Sequence, residues 1–197
     1  MTDTIYNGLN TITDSSATHL GGNVYEGDPY TFSRGVWDYA IERFSVNSVL
    51  DLGSGRGYAA SYFHRKGMKV VAVDGLLLNC DTALYPTIKH DLTTGPVYCP
   101  VDLVHCQELV EHVEHEFSDN VVRSLVNGKF IIMTHAVPNQ DGHHHVNNQS
   151  PEYWITKMAA YNCHVLWEDT NRIRHIAAGE RAVYMAETGL VFANRNR

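Results

Sequence analysis

The sequence has no apolar run approaching the roughly 20 residues that a membrane-spanning helix needs, so a soluble protein is expected. Its first 22 residues are polar and threonine-rich, with no basic segment leading into an apolar one. No secretory signal is expected there, and the cytoplasm is the expected compartment. Cysteine is sparse: Cys80, Cys99, Cys106 and Cys163 form no C-x-x-C pair. Reduced, mostly buried thiols are therefore expected rather than disulfides. Positive charge is also short, since 15 Lys and Arg face 22 Asp and Glu, a formal net charge of -7. That balance argues against tight non-specific binding to nucleic acid, which requires a basic surface. Internal repeats and low-complexity linkers are absent as well.

What remains is enough for one ordinary α/β domain. The 197 residues are 44% apolar, which can fill a core, and only 19% charged, which disfavours disorder. Residues 1–34 are rich in Thr, Gly, Asn and Asp and read as an arm or lid ahead of a domain over residues 35–197. Residues 1–18 read as a loose tail, whereas Tyr25, Tyr30 and Phe32, near Glu26 and Asp28, suit a flap over a ligand. Trp37, Ala40, Ile41 and Phe44 recur at helical spacing, which predicts a helix over 30–44. Short apolar runs and helical stretches then alternate. Strands are predicted at 48–52, 69–73, 86–90, 101–105, 129–134, 163–167 and 190–193. Helices are predicted at 57–66, 118–126, 152–160 and 177–186, the first closed by Gly67. Strand–helix alternation predicts a doubly wound, Rossmann-like α/β/α sandwich with a mostly parallel sheet, and ligands bound beyond the strands' carboxyl ends.

The most informative segment is Val49-Leu50-Asp51-Leu52-Gly53-Ser54-Gly55-Arg56-Gly57. A strand runs into a glycine loop and then a helix, so the backbone can turn sharply and approach a ligand. The spacing is G-x-G-x-G with Asp51 just before it, unlike the G-x-G-x-x-G that holds a pyrophosphate. A carboxylate there repels pyrophosphate and suits a cationic ligand, such as the ammonium of a bound amino acid. Ser54 and Arg56 do not supply the Lys-Ser/Thr pair of a P-loop, which disfavours ATP. Asp74 ends the second strand in Val70-Val71-Ala72-Val73-Asp74-Gly75, where a carboxylate can accept from both ribose hydroxyls. Asp91 follows the third strand and is read equally as a partner for an adenine amino group or as a turn cap.

These two stretches resemble the first two motifs of class I S-adenosylmethionine-dependent methyltransferases, and the order of later elements is similar over roughly residues 35 to 195. The resemblance implies a seven-stranded sheet whose last strand, at 190–193, is antiparallel. It also implies that Gly53, Gly55 and Gly57 line the methionine and ribose portion of S-adenosylmethionine, that Asp51 sits under its ammonium directly or through water, and that Asp74 binds its ribose. Ser54, Asp91 and Gln107 complete the expected cofactor-binding set.

The fourth strand leads into Gln107-Glu108-Leu109-Val110-Glu111-His112. It lacks the Asn/Asp-Pro-Pro-Tyr/Phe of enzymes that methylate base amino groups. On a helical turn Glu108, Glu111 and His112 share one face and could hold a divalent ion. The stretch is similar to Glu-Val-x-Glu-His in ubiquinone-pathway O-methyltransferases and to the metal-binding stretch of small-RNA 2′-O-methyltransferases. A further ligand is sought in the polar loop after the fifth strand, which carries His135 and the consecutive His143, His144 and His145. Three consecutive histidines cannot all point one way. His112 and His135 are the candidate bases should no metal take part. Pro151 fits the first position of the following helix; Tyr153 and Trp154 are read as pocket wall or core, with core favoured for Trp154.

The expected activity is methyl transfer from S-adenosylmethionine to a small-molecule, hydroxyl-type acceptor. The alternatives are transfer to RNA or a protein-attached group, and a catalytically silent domain that binds the cofactor alone.

Overall fold

A computed structural model describes residues 11–13, 17–24 and 27–197. The arm's Tyr25 and Glu26, and the tail at 1–10 and 14–16, lie outside the described residues. Two short strands, β1 (Thr11–Thr13) and β2 (Gly21–Val24), pair antiparallel. The first long helix, α1, spans Arg34–Phe44 rather than beginning at Tyr30. Pro29 instead opens a separate 3-10 turn, Pro29–Thr31, whose Tyr30 amide donates to the Asp28 carboxylate at 2.8 Å.

The main sheet contains β3 (Ser48–Leu52), β4 (Lys69–Asp74), β5 (Thr87–Lys89), β6 (Val101–Cys106), β7 (Gly128–Met133), β8 (Cys163–Val165) and β9 (Leu190–Asn194). Its order is β5-β4-β3-β6-β7-β9-β8. All neighbours are parallel except β9, which runs antiparallel to both β7 and β8. The chain therefore reverses its winding at β3, so β3 and β6 are adjacent and a crevice opens beyond their carboxyl ends.

The helices are α2 (Tyr58–Arg65), α3 (Leu77–Thr82), α4 (Ser118–Leu125), α5 (Pro151–Ala159), α6 (Trp167–Glu180) and α7 (Val183–Thr188). Side chains alternate across the central strands and feed two apolar layers. Leu50, Val104 and Ile131 join Trp154, Met158 and Phe192 in one. Val49, Leu103 and Ile132 join Trp37, Phe63 and Ile173 in the other. Trp154 is fully buried and belongs to the core. All four cysteines are free thiols, and among the described residues no helix is long and apolar enough to cross a membrane.

The helix expected at 177–186 is corrected to two, α6 and α7, broken at Arg181 in a left-handed cap with φ of 64°. The usual stop signal misleads here, because Gly179 lies within α6 and the break falls on an arginine. The strand expected to reach Trp167 ends at Val165, and the half-exposed Trp167 instead opens α6.

At the end of the sheet remote from the crevice, Asp102 accepts from the Asn47 amide, the Ser48 amide and hydroxyl, and Lys129 Nζ. The Lys129 bond is the main reason its pKa falls from an ordinary 3.8 to about 2; burial opposes the shift, and Asn47 and Ser48 assist it. A depressed folded-state pKa gives stability that is complete above the unfolded pKa and lost as pH falls through the folded one. Asp102 should therefore contribute about 1 kcal/mol near neutrality once solvent screening of the exposed Lys129 is allowed for, lost between about pH 4 and pH 2. Urea unfolding across that range tests this: Asp102→Asn should flatten the acid slope, and an unchanged slope would assign the loss to other carboxylates.

Candidate active site

The loop between β3 and α2 stands on backbone that favours glycine. Gly53, Gly55 and Gly57 have φ of 73°, 52° and 72°. A Cβ on Gly53 would come within 3.0 Å of Leu109, whereas one on Gly55 would meet nothing within 4 Å. The loop is thus packed on one side and open on the other. Its two neighbouring carboxylates hold it in place. Gly57 is the N-cap of α2 and has no side chain to offer; Asp51, only 2% exposed, accepts the Ala60 amide instead at 3.0 Å. Asp74 accepts the amides of Gly55 at 2.8 Å and Leu76 at 2.9 Å, and Asn79 Nδ2 at 3.0 Å. Burial raises the pKa of Asp74, while the bonds from Asn79, Leu76 and Gly55 pull it back down. The buried Ser54 Oγ and Gln107 Nε2 have no hydrogen-bond partner among the described residues. Both lie where the loop and the end of β6 meet, and each can serve a polar ligand.

Asp91 caps its own turn, accepting the Thr93 amide and hydroxyl at 2.9 and 2.8 Å. Its other oxygen lies 2.9 Å from His19 Nε2. Burial works against ionisation, but His19 and Thr93 outweigh it and hold this carboxyl below its usual range. The turn cap read from the sequence is thus present. The segment carrying His19 runs across this side of the crevice. Leu20 packs on Gly75, and the Thr18 carbonyl lies 3.1 Å from His143 Nε2.

Past β6 the expected helical turn does not form. Glu108 has a positive φ of 53°, and a 3-10 turn covers only Val110–His112. Glu108, Glu111 and His112 are therefore not stacked on one α-helical face. Instead, ligand atoms of Glu111, His112 and His145 lie within 4.8 Å of one another. The 140s loop reaches them because Val146 and Asn147 donate their amides to the Glu111 carbonyl at 3.0 and 3.1 Å. The buried Asn147 side chain also donates to Ser118 Oγ at 3.2 Å. The three histidines diverge: His143 meets Thr18, His144 meets Glu114 at 3.1 Å, and His145 turns inward. His145 Nδ1 lies 3.3 Å from the Gln140 carbonyl, which fixes the ring and leaves Nε2 for a ligand.

Glu108 sits against this group. Its Oε1 accepts the Thr134 hydroxyl, which in turn accepts the Glu108 amide, both at 2.8 Å. Burial raises both Glu108 and Glu111, and the charge of Glu111 pushes Glu108 well above the usual carboxylate range. Apart from the neighbouring Glu108 carboxyl, the oxygens of Glu111 have no hydrogen-bond partner among the described residues, nor does His112 Nδ1. Burial lowers the His112 pKa to about 4, so near neutrality this imidazole already has a free lone pair. Two neighbouring carboxylates with two neutral imidazoles form a donor set of the kind that takes a divalent cation.

His135 goes elsewhere. It is 1% exposed, and its amide lies 3.4 Å from Thr188 Oγ1 on α7. Its Nε2 has no partner among the described residues, and burial lowers its pKa. Tyr153 Oη lies 2.9 Å from His115 Nδ1 and donates to Ser118 Oγ. The sequence reading named the 143–145 run without choosing among its members, and it missed Asn147, His105 and Trp37. His105 is buried with Nδ1 2.7 Å from Asp51 Oδ1. Only strand pairing reveals that contact, because the two residues are 54 positions apart.

No family model matches the chain. The ubiquinone biosynthesis O-methyltransferase of Rickettsia typhi is 31% identical over 116 residues, 49% of this chain and 47% of that protein. The corresponding protein of Rickettsia bellii is 32% identical over 106 residues, covering 45% and 44%. The chain thus spans about half the length of the curated relatives it matches. Among solved structures, the [4+2]-cyclase SpnF superposes with a TM-score of 0.56 over 87% of this chain and 83% of its own, at 14% identity. Magnesium protoporphyrin IX methyltransferase from Synechocystis PCC 6803, solved with bound S-adenosylmethionine, gives 0.54 over 66% and 65%, also at 14% identity. A cyclase among these neighbours shows that the fold alone does not dictate the reaction. With this strand order and these relatives, the chain has the fold of the class I S-adenosylmethionine-dependent methyltransferases.

Proposed function

We propose that the chain transfers a methyl group from S-adenosylmethionine to a hydroxyl of a small-molecule acceptor. The observation that carries this reading is that buried polar atoms without a hydrogen-bond partner collect in the segments following β3 and β6: Ser54 Oγ, Gln107 Nε2 and His112 Nδ1, with the Glu111 carboxylate beside Glu108. On this reading Ser54 and Gln107 serve the cofactor, and Glu111 and His112 the acceptor. S-adenosylmethionine, when bound, supplies an activated methyl group on a sulfonium. The open face of Gly55 admits the cofactor's backbone-close portion, Asp51 offers a carboxylate for its ammonium, and Asp74 offers one for its ribose. Glu108, Glu111, His112 and His145 would hold a divalent ion, whose charge would lower the pKa of an acceptor hydroxyl. The chain's remaining task is to orient that oxygen and exclude water. For a route without metal, His112, whose Nδ1 is unpartnered among the described residues beside Glu111, is the proton acceptor, since His135 lies apart against α7.

On this reading residues 35–197 form the transferase domain and residues 1–34 an arm along its ligand side. The His19–Asp91 pair and the Leu20 contact on Gly75 support the arm's place. Four free thiols suit the reducing cytoplasm. The net charge of -7 favours a small acceptor over RNA. Calorimetric titration with S-adenosylmethionine, S-adenosylhomocysteine, NAD and ATP is the first test. Binding of the first two alone, in the micromolar range, is expected, followed by an acceptor screen with and without divalent ions. Absence of binding by either sulfur nucleoside sinks the proposal, whereas tight binding without transfer to any acceptor favours a silent domain.

A further inference from the structure

Asp51 and His105 face each other in the parallel register of β3 and β6, and both are all but sealed from solvent, at 2% and 3% exposure. The imidazole stands between two partners of opposite demand. Trp37 Nε1 donates to His105 Nε2 at 3.2 Å, and His105 Nδ1 lies 2.7 Å from Asp51 Oδ1. An indole nitrogen can only donate, so Nε2 accepts and the ring proton resides on Nδ1, pointed at the carboxylate. The edges of Trp37 and Phe63 close around the ring, with centroids 6.0 and 5.9 Å from that of His105. The imidazole can neither rotate nor change tautomer without losing a buried hydrogen bond.

The consequence falls on Asp51. Its Oδ1 is held by His105 from the neighbouring strand and its Oδ2 by the Ala60 amide from α2. Two donors on different elements fix the plane of the carboxylate, and each oxygen retains a lone pair for a further donor. Trp37 lies on α1, so the chain Trp37–His105–Asp51 ties the first helix to the foot of the glycine loop.

We propose that His105, with its tautomer set by Trp37, is a positioning residue that aims Asp51 at the ammonium of the cofactor's amino-acid portion. This rests on the reading of the chain as an S-adenosylmethionine-binding domain. It predicts an effect confined to one half of the ligand. S-adenosylhomocysteine carries the amino-acid portion, whereas 5′-methylthioadenosine keeps the adenosine and thioether but lacks it.

The test compares the Kd of both ligands by calorimetry in the full chain and in three variants. His105→Leu removes the donor and should weaken S-adenosylhomocysteine by about ten- to thirtyfold while leaving 5′-methylthioadenosine unchanged. His105→Asn places an amide nitrogen near the Nδ1 position and should recover most of that loss. Trp37→Phe keeps the ring packing but removes the N–H. Nitrogen NMR of labelled histidine should show the His105 proton on Nδ1 in the wild type and a tautomer mixture in Trp37→Phe. Equal weakening of both ligands in His105→Leu and His105→Asn would mark His105 as a packing residue and overturn the proposal. A wild-type His105 proton on Nε2 would overturn it independently. If the wild type binds neither ligand, the cofactor reading itself fails, and the proposal with it.

Discussion

Replacing Glu111 by glutamine is expected to slow methyl transfer on the order of a thousandfold, because a metal ion's stabilisation of the developing alkoxide amounts to several kcal/mol. The same substitution should raise the melting temperature of the metal-free protein. Glu111 is fully buried against the Glu108 carboxyl, and apart from Glu108 its oxygens have no hydrogen-bond partner among the described residues. Removing one of two neighbouring buried carboxylates relieves desolvation and repulsion together. Opposite signs for activity and stability are what separate a cation site from a structural acid cluster. Initial rates with and without chelator, calorimetric titration with magnesium and manganese, and a thermal melt supply the three readouts. Chelator-insensitive turnover that survives Glu111→Gln would remove the metal from the mechanism. The S-adenosylhomocysteine affinity should stay at its wild-type value, because Glu111 belongs to the acceptor side.

Replacing Asp74 by alanine should act on the other half of the site, weakening S-adenosylhomocysteine by about ten- to a hundredfold. Three donors already occupy this carboxylate, so one lone pair on Oδ2 remains for a ribose hydroxyl, and one charge-assisted hydrogen bond of about 1.5–3 kcal/mol accounts for that figure. The substitution should also destabilise the fold by about 3 kcal/mol, because the Gly55 and Leu76 amides and the Asn79 side chain would lose their acceptor. The two effects have one origin, since the carboxylate that would hold the ribose also holds the loop beneath it. Calorimetry below the melting temperature, with circular dichroism confirming the folded state, measures the first; urea unfolding measures the second. Wild-type affinity in a folded Asp74→Ala protein would place the ribose elsewhere.

These two sites differ in how far the sequence reveals them. The glycine loop is local: Asp51, Gly53, Gly55 and Gly57 lie within seven positions of one another, and backbone conformation alone demands the glycines. Strand and helix periodicity is local too, so a mostly parallel sheet could be anticipated from it, whereas the antiparallel direction of β9 was implied only by the resemblance to the methyltransferase family. Failures occurred where the signal was not periodic. Arg181 breaks a helix without being a breaker residue, and Glu108 takes a left-handed backbone that turns an expected α-helical face into a 3-10 turn.

The fold class, the place of the glycine loop and the two carboxylates beside it were legible along the chain, because short-range backbone geometry and side-chain periodicity specify them. Which of three adjacent histidines joins Glu111 and His112 became visible only once the chain had packed. That choice depends on Val146 and Asn147 hydrogen-bonding to the Glu111 carbonyl, a contact between residues more than 30 positions apart. The same holds for the chain of hydrogen bonds through Trp37, His105 and Asp51, because three elements distant in sequence must first pack before their polar atoms can meet.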